Sequence, residues 1–204
     1  MERRDNYTLA RLSAQRLFAA CSEDVVRTHE ALRADGEYFY FPLLGREYRI
    51  RRADGGAELA RDGEKLRDAD FNEALSLYDI LSRPAQARLS GRFVLMASLS
   101  RLHTSEFSGG FFRAQTAAFA RDYGRWAAAC DALGRRVPGN GADNWEFALW
   151  PSFPLRLSYD PADEDFPAQL RLYWDENTLQ FVHYETTYYL AGILFARLRE
   201  EAEK

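Results

Sequence analysis

The chain has 204 residues, of which 47% are hydrophobic and 28% are charged, a composition typical of a globular protein rather than a disordered one. Its 27 basic and 31 acidic residues give a formal charge of −4, which argues against nucleic-acid binding because that function usually requires a basic surface. The longest apolar run, residues 188–196, is shorter than the roughly 20 residues of a membrane span, and the N-terminal residues lack the apolar core of a secretory signal.

The first half of the chain predicts helices around a strand hairpin. Apolar residues at three- and four-residue steps indicate helix, and short aromatic runs that flank the turn from Pro42 to Gly45 indicate paired strands. Pro84 closes the second helical pattern. The predicted elements are a helix over residues 5–33, a hairpin of strands 38–41 and 48–52, a helix over 68–84 and a strand over 91–99.

The second half predicts a long helix, three strands and a closing helix. The elements in chain order are a helix over residues 107–134 that bends near Gly124, strands over 145–151, 154–159 and 169–174, and a helix over 185–204. The whole order predicts the α+β class. We expect a single domain over residues 1–204, in which a largely antiparallel sheet (the hairpin and the C-terminal three-strand meander) packs with about four helices.

The stretch DPADEDFPAQ, residues 160–169, places four carboxylates between two predicted strands. Asp163, Glu164 and Asp165 are consecutive, so their side chains diverge, and the spacing lacks the alternating ligands and central glycine of a calcium loop. We predict a solvated connection, with a divalent cation or a partner contact as the alternative. Phe166 and Trp174, at the strand ends beside this loop, are predicted to fold back onto the core.

The segment SEFSGGFFR, residues 105–113, is where we first expect a ligand. Ser108 is a good helix N-cap, which would place Gly109 and Gly110 in the first helical turn, where glycine lowers helix propensity. One explanation is packing, since a bare backbone lets a neighbouring element approach closely. The other is anion binding, in which free amides at a helix start attract a phosphate or carboxylate and Arg113 adds a charged fork. The sequence alone leaves both explanations open.

Few other residues suggest metal or catalytic chemistry. His183 and Glu185 are candidate metal ligands, but a zinc site needs three protein ligands and only His183 is a strong one, so no metal is expected. His29 lies on an apolar stripe typical of a satisfied core residue, and His103 lies in a predicted loop. The sequence contains no Gly-x-Ser-x-Gly elbow, P-loop or dinucleotide fingerprint.

Cysteine usage fits a reducing compartment. Cys21 and Cys130 lie far apart without Cys-x-x-Cys spacing, so neither a disulfide framework nor a four-cysteine iron–sulfur cluster is expected in this chain. We therefore expect two buried thiols, a cytoplasmic protein that contacts neither a membrane nor nucleic acid, and a fold that holds no cofactor of its own.

Residues 144–194 follow a recognisable series: an aromatic strand ending in proline, a strand ending in an aromatic residue, an acidic run closed by Phe-Pro, a strand ending in Trp-Asp, and a Glu-led helix. The residues that carry it are Trp145 to Pro151, Tyr159, Glu164 to Pro167, Trp174-Asp175 and Glu185. This order resembles the C-terminal half of a prokaryotic, largely bacterial family, domain of unknown function 3786. Upstream, FPLLGREYRI and LSGRFVLMASL…SGGFF resemble that family's hairpin and Gly-Gly segments, so the resemblance spans about residues 30–200.

The resemblance implies an anaerobic setting, because some relatives are joined to cysteine-rich iron–sulfur modules of the corrinoid-protein type. This chain lacks such a module, so any cofactor role would need either a separate partner, for which the resemblance suggests an iron–sulfur or corrinoid protein, or a bound ligand. Three functions stay open: a non-catalytic binding or accessory module, a small enzyme that uses His183 or His103 with carboxylates, and a structural interaction domain with exposed aromatic strand faces. We favour the binding module, and the sequence leaves catalysis undecided.

Overall fold

Two antiparallel sheets of five strands each organise the part of the chain that the computed structural model describes. The described residues are 6–99, 112–139 and 142–204. The chain divides into two compact units: unit 1 comprises Met1–Ala87 and Gln180–Ile193, and unit 2 comprises Arg88–Leu179 and Leu194–Lys204. The predicted α+β class with antiparallel strands is confirmed.

Unit 1 contains an up-and-down sheet in which each strand pairs with the next one along the chain. Its strands are β1 (Arg33–Ala34), β2 (Tyr38–Leu43), β3 (Arg46–Arg51), β4 (Ala57–Arg61) and β5 (Glu64–Asp68). Strand alternation places Phe41, Tyr48 and Ile50 on the buried face. The predicted hairpin of β2 and β3 is confirmed, and its turn residues Leu44 and Gly45 have positive φ angles of 48° and 71°, as a two-residue hairpin turn requires.

The helices of unit 1 that precede or follow this sheet are α1 (Asn6–Ala19), α2 (Glu23–Val26) and α3 (Phe71–Leu81). In the capping box of α3, the Asp70 carboxylate accepts a hydrogen bond from the Glu73 amide, and the Glu73 carboxylate accepts one from the Asp70 amide. The predicted single helix over residues 5–33 is wrong, because α1 ends at Ala19 and Ser22 precedes a separate single turn. The serine and β-branched residues of this stretch favour the break, since they have low helix propensity.

Unit 2 contains the second sheet, in which the spatial order β6-β10-β9-β8-β7 differs from the order along the chain. Its strands are β6 (Phe93–Leu95), β7 (Arg135–Arg136), β8 (Asp143–Trp150), β9 (Phe153–Asp160) and β10 (Gln169–Asp175). The last three form the predicted C-terminal meander, which is confirmed. Its inward face buries Trp145, Leu155 and Leu157 completely, so this face forms the core of unit 2.

Two helices of unit 2 cover that inward face: α4 (Arg113–Arg121) and α5 (Tyr123–Leu133). The Phe119 ring stacks on Trp126 at a centroid distance of 5.1 Å and contacts Tyr159 of β9 at 5.3 Å. The bend predicted near Gly124 is a full break at Asp122, whose carboxylate accepts a hydrogen bond from the Arg125 amide and so caps α5.

The last helix, α6 (Tyr184–Ala202), is divided between the units: residues up to Ile193 belong to unit 1 and later residues to unit 2. In the described ranges the structure has two sheets and six α-helices, whereas the sequence predicted one sheet and about four helices. A single domain over residues 1–204 stays a prediction. No helix in these ranges is long and apolar enough to cross a bilayer.

Candidate functional site

The anion site predicted at residues 105–113 falls largely outside the described residues. Ser108, Gly109 and Gly110 are not among them. Arg113 is the first residue of α4, follows Phe112 at the N-cap position, and is exposed. The choice between packing and anion binding at the two glycines therefore stays a prediction.

A cleft of about 410 Å³ lies further along α4, between α4, α5 and the part of α6 in unit 2. The lining residues of each helix lie on one helix face, because residues three, four and seven positions apart share a face. Small side chains at Ala114, Ala118 and Ala202 leave the space open. We call this the arginine cleft; its larger lining residues are Gln115, Arg121, Asp122, Arg125, Trp126, Phe195, Arg199 and Glu203.

The arginine cleft is lined by three guanidinium groups, on Arg121, Arg125 and Arg199, and by two carboxylates, on Asp122 and Glu203. Arg125 donates a hydrogen bond from Nε to the carbonyl oxygen of Ala202, the last residue of α6. Arg121 and Arg199 lie in the last turns of α4 and α6, where the helix dipole favours a positive charge. Within the described part of the chain, the side chains of these two arginines form no ion pair. Two guanidinium groups are thus available to an anion.

The remaining walls of the arginine cleft combine aromatic rings with the amide of Gln115. The Trp126 ring is held in place by its stack on Phe119. Phe195 of α6 also lines the cleft. The Oε1 atom of Gln115 is buried and finds no hydrogen-bond partner among the described residues. An unpaired buried polar atom costs about 1–3 kcal/mol, so this atom lowers the local stability of α4.

A second cluster in unit 1 surrounds Asp79 of α3; we call Asp79, Arg83, His183 and Thr186 the Asp79 cluster. The Asp79 Oδ2 atom accepts hydrogen bonds from the His183 amide at 2.7 Å and from the Thr186 hydroxyl at 2.6 Å. Its Oδ1 atom accepts one from Arg83 Nε at 3.0 Å and lies 3.5 Å from His183 Nε2. Asp79 therefore caps the start of α6 from a different helix and stands beside an imidazole ring.

The two candidate metal ligands differ in their surroundings. The His183 side chain is 73% exposed and faces the Asp79 carboxylate. Glu185 is exposed on the first turn of α6. No group of three or more His, Cys, Asp or Glu residues in the described ranges could hold a metal ion. The Asp79 cluster is thus suited to orienting a histidine and holding a helix end.

Asp175, at the end of β10, is a fully buried carboxylate of unit 2. It accepts hydrogen bonds from the amides of Ser90 (3.1 Å), Gly91 (2.7 Å) and Asn177 (2.9 Å), and from the Ser90 hydroxyl (3.1 Å). Burial raises the pKa of Asp175, but these hydrogen bonds outweigh burial and hold the pKa below its ordinary value. Because its oxygens are engaged in this way, Asp175 fastens residues 90–91 to β10 and is a structural group.

The acidic loop is solvated, as predicted. Residues 161–167 are exposed, and the Asp163 carboxylate accepts hydrogen bonds from the amides of Asp165 and Phe166 at 2.9 and 2.7 Å. Trp174 is fully buried, which confirms its predicted core position. The same prediction for Phe166 is wrong, since its side chain is 63% exposed. The turn closes on itself through the Asp163 amide and the Phe166 carbonyl oxygen, at 3.0 Å, and it carries the ring outward.

The other singled-out residues have structural surroundings where the structure describes them. His29 is half-buried, and its Nε2 atom lies 2.8 Å from the Arg83 carbonyl oxygen, as expected for a satisfied core histidine. Cys130 is buried, which raises the pKa of its thiol and makes the thiolate unfavourable. Cys21, predicted to be buried, is only half-buried. His103 lies outside the described residues.

Sequence reasoning missed both the arginine cleft and the role of Asp79. The cleft had a readable signal, because Ala114, Ala118 and Arg121 follow helical spacing, as do Phe195, Arg199 and Ala202. No such signal exists for Asp79, because its partner residues are about a hundred positions later in the chain and only the fold brings them together.

Comparison with family models gives one match, to "Domain of unknown function (DUF3786)", over residues 26–197. No curated protein and no solved structure matches the chain significantly.

Proposed function

Because the chain belongs to the DUF3786 family, whose description states no activity, we propose a function from the geometry: a non-catalytic module that binds a small anionic molecule in the arginine cleft. The observation that carries the proposal is that two unpaired guanidinium groups, on Arg121 and Arg199, border one cavity. The fork of donors on each guanidinium is suited to a carboxylate or a phosphate.

The size and walls of the arginine cleft support a small organic ligand rather than a bare ion. Ligand pockets commonly measure about 300–1,000 Å³, and the volume of about 410 Å³ lies in the lower part of that range. Trp126 and Phe195 supply aromatic surface, which would bury the apolar part of a ligand whose acid group pairs with arginine.

Isothermal titration calorimetry with benzoate and with inorganic phosphate tests this proposal. We expect binding that Arg121→Gln and Arg199→Gln each weaken about tenfold or more, because a hydrogen bond to a charged group contributes about 1.5–3 kcal/mol. Arg88→Gln, which changes an exposed arginine of unit 2 outside the cleft, is the matched control and should bind like the parent. Equal affinity in all four proteins, or no binding of either anion, would refute the proposal.

The family resemblance extends the proposal to a partner, an iron–sulfur or corrinoid protein that the module serves in an anaerobic cytoplasm. Native mass spectrometry of the protein purified without oxygen, with and without such a partner, tests this extension through the mass and stoichiometry of the complex. A chain that stays unbound in the presence of corrinoid and iron–sulfur proteins would exclude it.

A second candidate function, proton transfer in a small enzyme, is favoured by the contact between the exposed His183 ring and Asp79. A carboxylate beside an imidazole can orient the ring and stabilise its charged form. Hydrolysis of 4-nitrophenyl acetate at a rate above that of the His183→Gln variant would support it. Identical rates in the two proteins would contradict proton transfer by His183, and Asp79 would then serve only as the cap of α6.

A further inference from the structure

We infer that the ligand of the arginine cleft is an acidic amino acid, a molecule with two carboxylates and one ammonium group. This inference rests on the proposed anion-binding function and narrows the chemical class of the ligand. The two carboxylates of the ligand pair with the guanidinium groups of Arg121 and Arg199. Its ammonium group pairs with the carboxylates of Asp122 and Glu203.

The arginine cleft carries charges of both signs, and this observation points beyond a simple anion. Its three guanidinium groups and two carboxylates give the lining a net charge of +1. A bare dicarboxylate would gain the contacts with arginine, but it would also meet two like charges, which oppose its binding. An acidic amino acid carries a net charge of about −1 at neutral pH and supplies a partner for each sign.

The opposite charges in the cleft are not already paired with each other. Among the described residues, the side chains of Arg121, Arg199 and Glu203 form no ion pair. The Asp122 carboxylate accepts a hydrogen bond from the Arg125 amide at 3.4 Å. A carboxylate can accept about four hydrogen bonds, so this contact leaves acceptor capacity for a ligand. Opposite charges that share a cavity without pairing are suited to a molecule that carries both.

The spacing of Arg199 and Glu203 fits the charged end of an amino acid. The Glu203 amide donates a hydrogen bond to the Arg199 carbonyl oxygen at 3.0 Å, so the two residues are one helical turn apart. Residues at this spacing share a helix face, with their Cβ atoms about 5–6 Å apart. The ammonium and α-carboxylate groups of an amino acid are attached to one carbon atom, so they can contact Glu203 and Arg199 at the same time.

Arg125 connects the second carboxylate of the lining to the same end of the cleft. Its amide contacts the Asp122 carboxylate, and its Nε atom donates to the carbonyl oxygen of Ala202, the residue before Glu203. The start of α5 and the end of α6 are thus joined through one arginine. Asp122 and Glu203 therefore both lie near the position of the ammonium group.

The rest of the cleft matches the side chain of an acidic amino acid. Arg121, the last residue of α4, remains for the second carboxylate. Trp126 is fixed by its stack on Phe119 at 5.1 Å and offers a rigid surface that can bury the methylene groups of the ligand. The volume of about 410 Å³ accommodates a molecule of this size.

Two probes that differ by one ammonium group test the inference by calorimetry: glutamate and glutarate. We expect the unmodified protein to bind glutamate about fivefold or more tightly than glutarate. Glu203→Gln and Asp122→Asn should each reduce this preference about twofold or more, and the double variant should abolish it. Asparagine is also a good N-cap, so Asp122→Asn retains the cap of α5. Glu200→Gln, which removes a carboxylate from α6 outside the cleft, is the matched control and should keep the preference of the parent. Melting temperatures verify that the variants are folded.

The outcomes separate the inference from the function on which it rests. Equal binding of glutamate and glutarate by the unmodified protein overturns the inference, as does a preference that survives in the double variant or is lost equally in Glu200→Gln. Binding of benzoate or phosphate without binding of either dicarboxylate also overturns it. In each case the anion-binding function stands if Arg121→Gln and Arg199→Gln still weaken the binding of benzoate or phosphate. If none of the four compounds binds, both the inference and the proposed function fail.

Discussion

The His29 ring is half-buried and contacts backbone carbonyl groups. Both features change its pKa, and through the pKa they make the stability of the fold depend on pH. Burial lowers the pKa of His29 below its ordinary value of 6.5, and the hydrogen bonds to the carbonyl groups of Arg83 and Ile80 oppose that shift without reversing it. The folded chain therefore takes up this proton at a lower pH than the unfolded chain does.

The pH dependence of stability follows from that difference. Between the folded pKa and about 6.5 the unfolded state binds more protons, so the contribution of His29 is complete above pH 6.5 and is lost as the pH falls. His29→Gln should flatten the decline in the free energy of unfolding as the pH falls below about 6.5. Urea unfolding at a series of pH values measures this. His183→Gln, which changes an exposed ring, is the control, and a decline that persists in His29→Gln would contradict the assignment.

Phe166 and Trp174 flank the acidic loop and provide a matched pair of aromatic residues. Trp174 is fully buried, whereas the Phe166 side chain is 63% exposed. Phe166→Ala should change the free energy of unfolding by less than about 0.5 kcal/mol. Trp174→Ala should lower it by about 3–5 kcal/mol, because it leaves a large cavity in the core of unit 2. Thermal melting followed by circular dichroism compares the two variants. A large loss of stability in Phe166→Ala would show that this ring packs in the core.

At the scale of elements, the segment that precedes α4 leaves open the predicted choice between packing and anion binding. Gly109→Ala and Gly110→Ala separate packing from anion binding at the predicted site. If packing requires the glycines, each substitution lowers the melting temperature with or without phosphate. If an anion binds there, phosphate should raise the melting temperature of the unmodified protein, and Arg113→Ala should remove that rise. Arg121→Gln is the companion variant, since a rise that is lost only in Arg121→Gln assigns phosphate to the arginine cleft.

The elements also indicate how far the sequence determines the fold. Alternating aromatic residues and short turns were sufficient to predict the hairpin of β2 and β3 and the C-terminal meander from the sequence. The hairpin of β4 and β5 was missed although Asp62-Gly63 between them is a strong turn signal. Charged residues dominate β5, and all five of its residues are exposed, so no apolar alternation marks it as a strand. The position of β6 beside β10 depends on pairing between distant segments, which local patterns do not encode.

The candidate site was less predictable than the fold for a related reason. Helical spacing specifies the face on which Arg121 or Arg199 lies, but it does not specify which helices meet. The burial of the Gln115 Oε1 atom has no signal in the sequence, because nothing in its neighbourhood distinguishes it from a surface glutamine. The site predicted at residues 105–113 rests on a local rule, since glycines after a serine cap lower helix propensity, and it stays a prediction.

At the scale of the whole molecule, the four tryptophans separate the two units spectroscopically. Trp126, Trp145, Trp150 and Trp174 all belong to unit 2. Tryptophan fluorescence therefore reports on unit 2, while far-ultraviolet circular dichroism reports on helices and strands of both units. If residues 1–204 form a single domain, as the sequence predicts, the two signals should give one coincident urea transition.

The matched comparison uses both signals on the same samples across the same urea series. Midpoints that coincide, with a common slope, support one cooperative domain. A fluorescence transition displaced from the circular dichroism transition would show that unit 2 unfolds separately, and the single-domain prediction would then be wrong.

The division of α6 between the units also has a consequence for the order in which the protein forms during synthesis. Unit 1 contains the first 87 residues, which leave the ribosome first, but it also contains Gln180–Ile193. The Asp79 carboxylate finds Arg83 within the early segment, but its partners His183 and Thr186 lie in that late segment. Unit 1 therefore cannot be completed until Gln180–Ile193 has been synthesised, so the early segment stays without these contacts while residues 88–179 are added.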